Sequence, residues 1–242
     1  MNYERIRDLT LLHTSPRILI ACDSIGGIGE KEADSLSVPP EISGEYLARV
    51  PITELMSLGA TPSGFFATFS VEMEPTGKRL LRGIMNAIDM INIDGEAMNG
   101  STEENMISRS TGAGITVLAE LEDGYVIPKA KVGEKVYLWG LPLVGQQVLE
   151  SNQVINLLDL KALRSHPDVG EIVMIGSKGI TYELGVLLER NNLAIDGHSH
   201  KQLFDKSGGP ATCLIFSANE SIETFLMDYH YHYEELGYLV SK

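Results

Sequence analysis

Cysteine, basic runs and long apolar stretches are scarce in this 242-residue chain, and each scarcity narrows what it can be. Only Cys22 and Cys213 occur, far apart and outside any Cys-x-x-Cys or Cys/His zinc spacing. That argues against a disulfide scaffold and a structural zinc site, and predicts a reducing, cytoplasmic compartment. Lys and Arg number 19 against 33 Asp and Glu, for a net charge of −14. With no basic run to neutralise a phosphate backbone, nucleic acid is not expected as a partner. The longest uncharged stretch, residues 55–71, contains Gly59, Pro62 and Gly64 and falls short of the roughly 20 residues of a membrane helix. No membrane span is expected, and the N-terminal residues lack an apolar core of signal-peptide length, which predicts no export.

What is present fits an α/β or α+β protein of one large or two modest domains, since 43% hydrophobic residues suffice for an ordinary core. Residues 17–22, RILIAC, read as a strand ending at Asp23 and feeding the glycine turn SIGGIGEK. Residues 43–58 carry apolar positions at near-helical spacing, and Pro51 predicts one bent helix or two short ones. A strand over 65–71, a helix over 80–91 and a strand over 115–121 follow, with a domain boundary near residue 123. Beyond it the pattern predicts a strand at 136–139, helices at 144–150, 157–164 and 180–188, strands at 171–175 and 211–216, and a helical tail after Glu220.

The glycine turn invites a nucleotide reading, yet neither common signature fits. Glu30 separates Gly29 from Lys31 where a P-loop needs Gly-Lys-Ser/Thr, and Glu32 stands where a dinucleotide fingerprint needs glycine. Taken alone, the turn is either a plain strand-to-loop connection or a phosphate cradle, and Asp23 either a turn cap or a ligand. Lys31 and Asp34 read equally as an exposed ion pair. The pairs His198-x-His200 and His230-x-His232 suit polar loops and a solvated tail better than a soft metal, while His198 and Lys201 are candidates for a substrate pocket. Cys22 reads as a buried strand cysteine, and Phe65, Phe66 and Phe69 as core or subunit-interface residues.

Four blocks in order nevertheless resemble one family. Residues 23–31, DSIGGIGEK, resemble the Asp-Gly-Val-Gly-Thr-Lys segment of the aminoimidazole ribonucleotide synthetase superfamily, which includes thiamine-monophosphate kinase, selenophosphate synthetase and a hydrogenase-maturation protein. Residues 43–62 look like its helix ending in an acidic residue and Gly-Ala-x-Pro. Residues 99–103, NGSTE, stand where relatives carry Gly-Gly-Asp-Thr, and residues 130–140 resemble their interdomain strand. The resemblance covers residues 17–141 well and the remainder loosely. It implies an N-terminal ATP-binding domain over 1–122 that dimerises through its sheet, and a shortened C-terminal domain over 123–242.

The same resemblance implies magnesium and ATP as cofactor and cosubstrate, with a small-molecule acceptor. Gly26, Gly27, Gly29, Lys31 and Thr102 would contact phosphates, and Asp23, Glu54 and Glu103 would hold the metal, since magnesium favours carboxylate oxygen. An acidic chain suits this, because a divalent cation bridges carboxylates to a triphosphate. Ser101 departs from the pattern at the usual acidic position, and either Glu103 or Glu104 compensates by a register shift or both are solvated loop residues. The implied activity is a small-molecule kinase like thiamine-monophosphate kinase or α-ribazole kinase. An ATP-dependent ligase or dehydratase and a nucleotide-binding protein with a decayed site are the alternatives. No nucleophile, base and orienting acid is recognisable from order alone.

Overall fold

The cluster Leu9, Leu11 and Leu12 is one strand of a hairpin. In the computed structural model, which describes residues 2–93, 98–122, 124–197, 205–219 and 222–242, β1 (Tyr3–Ile6) and β2 (Leu9–Leu12) pair antiparallel about Arg7 and Asp8. The hairpin adds to β3 (Arg17–Gly26), which continues past Asp23 into the glycine turn. The turn closes on itself through a short parallel pair, β4 (Ile28–Gly29) and β5 (Leu36–Ser37). Next come α1 (Pro40–Ser57), β6 (Pro62–Phe69), α2 (Lys78–Met90), β7 (Met98–Thr102) and β8 (Gly112–Leu121). One six-stranded sheet results, in the order β1-β2-β3-β8-β6-β7, antiparallel except for β6 with β7.

Alternation sorts the faces of this sheet. Leu19, Ala21, Phe65, Ala67, Phe69, Ile115, Val117 and Ala119 are buried, whereas Cys22, Ser24, Phe66 and Thr68 on the opposite face are exposed. Pro51 does not divide α1, which is continuous across it. An interior proline costs about 3 kcal/mol, but Leu47, Ile52 and Leu55 are fully buried and contribute about 1.5–3 kcal/mol each. The two helices meet backbone to backbone: a side chain at Gly44 would strike the carbonyl of Leu80, and one at Gly83 the carbonyl of Glu41.

The chain divides into two compact units, Met1–Leu55 with Ala60–Tyr125, and Met56–Gly59 with Val126–Lys242. The second contains β9 (Lys135–Trp139), α3 (Gln146–Glu150), α4 (Leu157–Ser165), β10 (Val169–Met174), α5 (Gly179–Asn191), β11 (Leu193–Asp196), β12 (Leu214–Ala218), α6 (Ile222–Met227) and β13 (Tyr233–Ser241). Its five strands form an antiparallel sheet ordered β10-β12-β9-β13-β11. Val136, Leu138, Val173, Ile215 and Leu239 from the sheet pack with Ile180 and Leu187 of α5. The expected helical tail is corrected here. Only 222–227 are helical, and β13 lies inside the sheet between β9 and β11. No helix among the described residues is long and apolar enough to cross a membrane.

Candidate functional site

Strand register brings four segments together at one end of the first sheet. The end of β3 lies opposite the start of β8 (Gly26 with Gly112), and the ends of β6 and β7 adjoin it (Phe69 with Ala113 and with Thr102). The row Asp23, Ile115, Ala67, Gly100 crosses the sheet on the face that buries Leu19 and Ala21. Thr102 shares that face. Ser101 does not, because it pairs with Thr68 in the row of Ser24 and Gly114 on the outer face.

Asp23 is half-buried, and burial pushes its carboxyl up to about 6 against a hydrogen bond from the Ser24 amide. No lysine or arginine is ion-paired with it among the described residues. A desolvated carboxylate without a cation is costly, and a hard divalent ion would supply the missing charge. Asp23 therefore fits a metal ligand.

The glycine turn is built largely by internal bonds. Gly27, in left-handed conformation, donates its amide to the Thr111 carbonyl (2.8 Å) and accepts from the amides of Ser35 and Leu36. A side chain at Gly29 would strike Thr111 and Asp34, while Gly26 has open space beside it. The Gly27 amide is thus committed to the turn and not aimed at a ligand, and Gly29 serves packing. Asp34 anchors the turn: it accepts from the Lys31 amide (2.9 Å), the Thr111 amide and hydroxyl (both 2.7 Å) and the Ser110 hydroxyl (3.0 Å). Burial opposes its ionisation, but these bonds outweigh it and hold the carboxyl below its ordinary range. Glu30 pairs with Arg79 of α2, and Glu32 with Arg109, pinning the turn from both sides.

Lys31 does not pair with Asp34, one of its two readings. Its ammonium lies 2.7 Å from Glu72, a residue that sequence reasoning missed. Burial opposes ionisation of Glu72, but bonds from Lys31 and Thr76 overcome it and hold the carboxyl at about 2. The available signal was position alone: Glu72 follows the end of β6, at the same end of the sheet. Thr102 donates to Glu104 (2.7 Å), whose same oxygen accepts the Met73 amide (2.8 Å). Glu103 donates its amide to Val71 (3.1 Å) and accepts from the Asn105 amide (2.8 Å). Lys31, Glu72, Thr102, Glu103 and Glu104 thus form one connected edge.

Glu54 is not brought into that edge. Its carboxylate lies 3.8 Å from Arg7, and burial, eased by Arg7 and aggravated by Asp8, pushes it up to about 7. The group nominated for a metal is engaged by a buried guanidinium. Among the described residues no three His, Cys, Asp or Glu groups gather as a metal site, so the nominated set of Asp23, Glu54 and Glu103 is not assembled. His198, His200, Lys201 and the boundary residue Asp123 lie outside the described residues. His230 contacts the Asn152 carbonyl (2.8 Å) and His232 lies 3.8 Å from Glu234. Cys22 is exposed and not buried, because alternation turns it outward beside Thr116 (3.4 Å).

No family model matches the chain, and neither does any curated protein. Solved structures do. Thiamine-monophosphate kinase from Aquifex aeolicus is 14% identical with a TM-score of 0.68, over 98% of this chain and 90% of that one. The enzyme from Stenotrophomonas maltophilia is 15% identical with a TM-score of 0.64, over 97% and 87%. A thiamine-monophosphate kinase structure complexed with AMPPCP and TMP is 15% identical with a TM-score of 0.66, over 97% and 85%, and a HypE–HypF complex matches with the same identity and score over 97% and 87%. The chain shares the mixed α/β fold of these solved structures, the fold that the sequence blocks imply.

Proposed function

We propose that the first unit binds magnesium-ATP at this sheet end and that the chain passes the terminal phosphoryl group to a small-molecule acceptor, as a thiamine-monophosphate kinase-like or α-ribazole kinase-like enzyme. The carrying observation is Asp23, a half-buried carboxylate held up to about 6 with no paired cation among the described residues. One or two carboxylates with phosphate oxygens complete a magnesium shell, so Asp23 serves as the protein ligand and Glu103 is the second candidate. When bound, magnesium supplies charge neutralisation to the transferring group. Lys31, kept beside the turn by Glu72, adds a cation there. Gly26 leaves room for a phosphate to approach, and the Thr102 hydroxyl can exchange its bond to Glu104 for a phosphate oxygen. Positioned charges of this kind suffice for phosphoryl transfer without a covalent nucleophile.

The decisive experiment incubates the protein with magnesium-ATP and a panel of nucleosides, vitamin monophosphates and α-ribazole, with Asp23→Ala as control. ADP release dependent on one acceptor supports the kinase, and product mass separates it from a ligase or dehydratase. Unchanged ATP binding by Asp23→Ala would sink the ligand assignment. A non-catalytic nucleotide-binding protein is the second reading, favoured by Ser101 facing away from Asp23 and by the absence of a three-carboxylate group among the described residues. Magnesium-dependent ATP binding without turnover would establish it. The reading includes a homodimer formed through the outer face of the first sheet, a cytoplasmic location, an ATP-binding domain over 1–122 and a shortened counterpart over 123–242.

A further inference from the structure

The loop between β7 and β8 holds the most exposed large apolar side chain among the described residues. Ile107 is 97% exposed, and its neighbour Met106 73%. β7 and β8 flank β6, where Phe69 pairs with both Thr102 and Ala113, so their ends stand about 10 Å apart at the usual strand spacing. Residues 103–111 would reach roughly 30 Å if extended, and the excess chain must project beyond the sheet. Both stems are fixed. Glu103 donates its amide to the Val71 carbonyl; on the other side the Arg109 carbonyl accepts from the Ala33 amide (2.9 Å), Arg109 pairs with Glu32, and the Ser110 hydroxyl donates to Asp34 (3.0 Å). The projection is therefore confined to residues 104–108, with Met106 and Ile107 at its tip.

Loop tips ordinarily carry small polar residues, and an apolar side chain exposed singly is normal. Two adjacent ones among carboxylates call for a ligand, because the charges around them are already engaged. Glu104 accepts from Thr102 and the Met73 amide, Glu72 from Lys31, and Glu32 pairs with Arg109. An acceptor atom must come within about 3–3.5 Å of the transferring phosphoryl group, so the acceptor shares this sheet end with Lys31 and Thr102. Met106 lies two residues beyond Glu104, which holds the Thr102 hydroxyl, and thus within about 7 Å of chain from it. Lys31 and Arg109 are both ion-paired, which leaves neither for a second charge on the acceptor, and a desolvated charge without a partner is costly. We propose that Met106 and Ile107 are specificity-determining residues that pack on the apolar ring of an uncharged, nucleoside-like phosphoryl acceptor. The assignment rests on the magnesium-ATP reading above for where the acceptor sits.

Methyl resonances of labelled methionine and isoleucine test it on the intact chain. With magnesium and AMPPCP present, α-ribazole, an uncharged nucleoside with an apolar bicyclic ring, is expected to shift the Met106 and Ile107 signals. Saturating α-ribazole that leaves both in place, or thiamine monophosphate moving them in its stead, overturns the proposal. Shifts that follow protein concentration and not the nucleoside mark a contact between two copies and overturn it too. The double variant Met106→Ser with Ile107→Ser changes only exposed positions, so folding should survive. It should raise the KM for α-ribazole roughly tenfold and hold kcat and magnesium-ATP binding within about twofold, the pattern of a lost ground-state contact. Met106→Leu with Ile107→Val should restore the KM, since apolar contact is what the tip supplies. An unchanged KM in the serine variant overturns the assignment. If α-ribazole moves the two methyls while magnesium-AMPPCP fails to bind, the tip stands and the phosphate-end reading falls.

Discussion

Glu72 holds the Lys31 ammonium beside the glycine turn, 2.7 Å away. Its folded-state carboxyl at about 2 lies below the 4.5 of a free glutamate, so its stabilising effect is complete above about 4.5 and fades as pH falls toward 2. Replacing Glu72 with Gln should cost on the order of 1–2 kcal/mol at neutral pH, once solvent screening of a partly exposed pair is allowed for. Chemical denaturation at pH 7 and near pH 2.5 should show the deficit shrinking; a deficit independent of pH would mean that Lys31 and Thr76 do not hold the ionised form. Asp23 was legible because a strand followed by a glycine turn brings a residue to a sheet end by local rules alone. The partners of Lys31 and Glu54 were not. Glu72 lies 41 residues from Lys31, and Arg7 belongs to a hairpin that has no strong period-2 pattern, so only the folded topology joins them.

At the scale of elements, periodicity located β3, α2, β6, β8 and most of the second sheet, because those segments alternate or repeat at one clean period. It failed where packing decided the outcome. Pro51 allows one bent helix or two short ones without choosing between them, and the buried face of α1 keeps one helix. The tail, with its aromatic and histidine residues, becomes a strand because β9 and β11 offer it two hydrogen-bonding edges. The crossing of α1 and α2 is likewise silent in sequence, where Gly44 and Gly83 look like poor helix residues. In the fold they are the contact. A valine at Gly83 must push against the Glu41 carbonyl, and overpacking of this kind typically costs about 1–3 kcal/mol or more. Gly83→Val should therefore lower the unfolding midpoint clearly, whereas a gain in stability would show that helix propensity outweighs the close approach. Because Arg79 joins α2 to Glu41 of α1 and to Glu30 of the glycine turn, the same variant should also loosen nucleotide binding.

For the whole molecule, the open question is what covers the outer face of the first sheet. Antiparallel sheets tolerate water on one face when that face is polar, but here the outward rows include Ile18, Ile20, Leu118 and Phe66 among Cys22, Ser24, Thr68 and Thr116. Phe66 is 43% exposed. An exposed aromatic with half-buried Ile18, Ile20 and Leu118 on the same face suits an interaction face, and a second copy of the same face is the simplest partner, since a two-fold pairing presents each residue to its own symmetry environment. Phe66 sits on β6 between β8 and the edge strand β7, where an aromatic side chain would anchor such a pairing. Phe66→Asp would bury a charge at that point and should weaken self-association by about 2 kcal/mol or more, roughly thirtyfold or greater. Sedimentation equilibrium of the intact chain should then show a dimer that the variant converts to monomer with its unfolding midpoint otherwise preserved. A wild-type chain that sediments as a monomer at micromolar concentration would leave this face to solvent and remove the dimer from the proposed function.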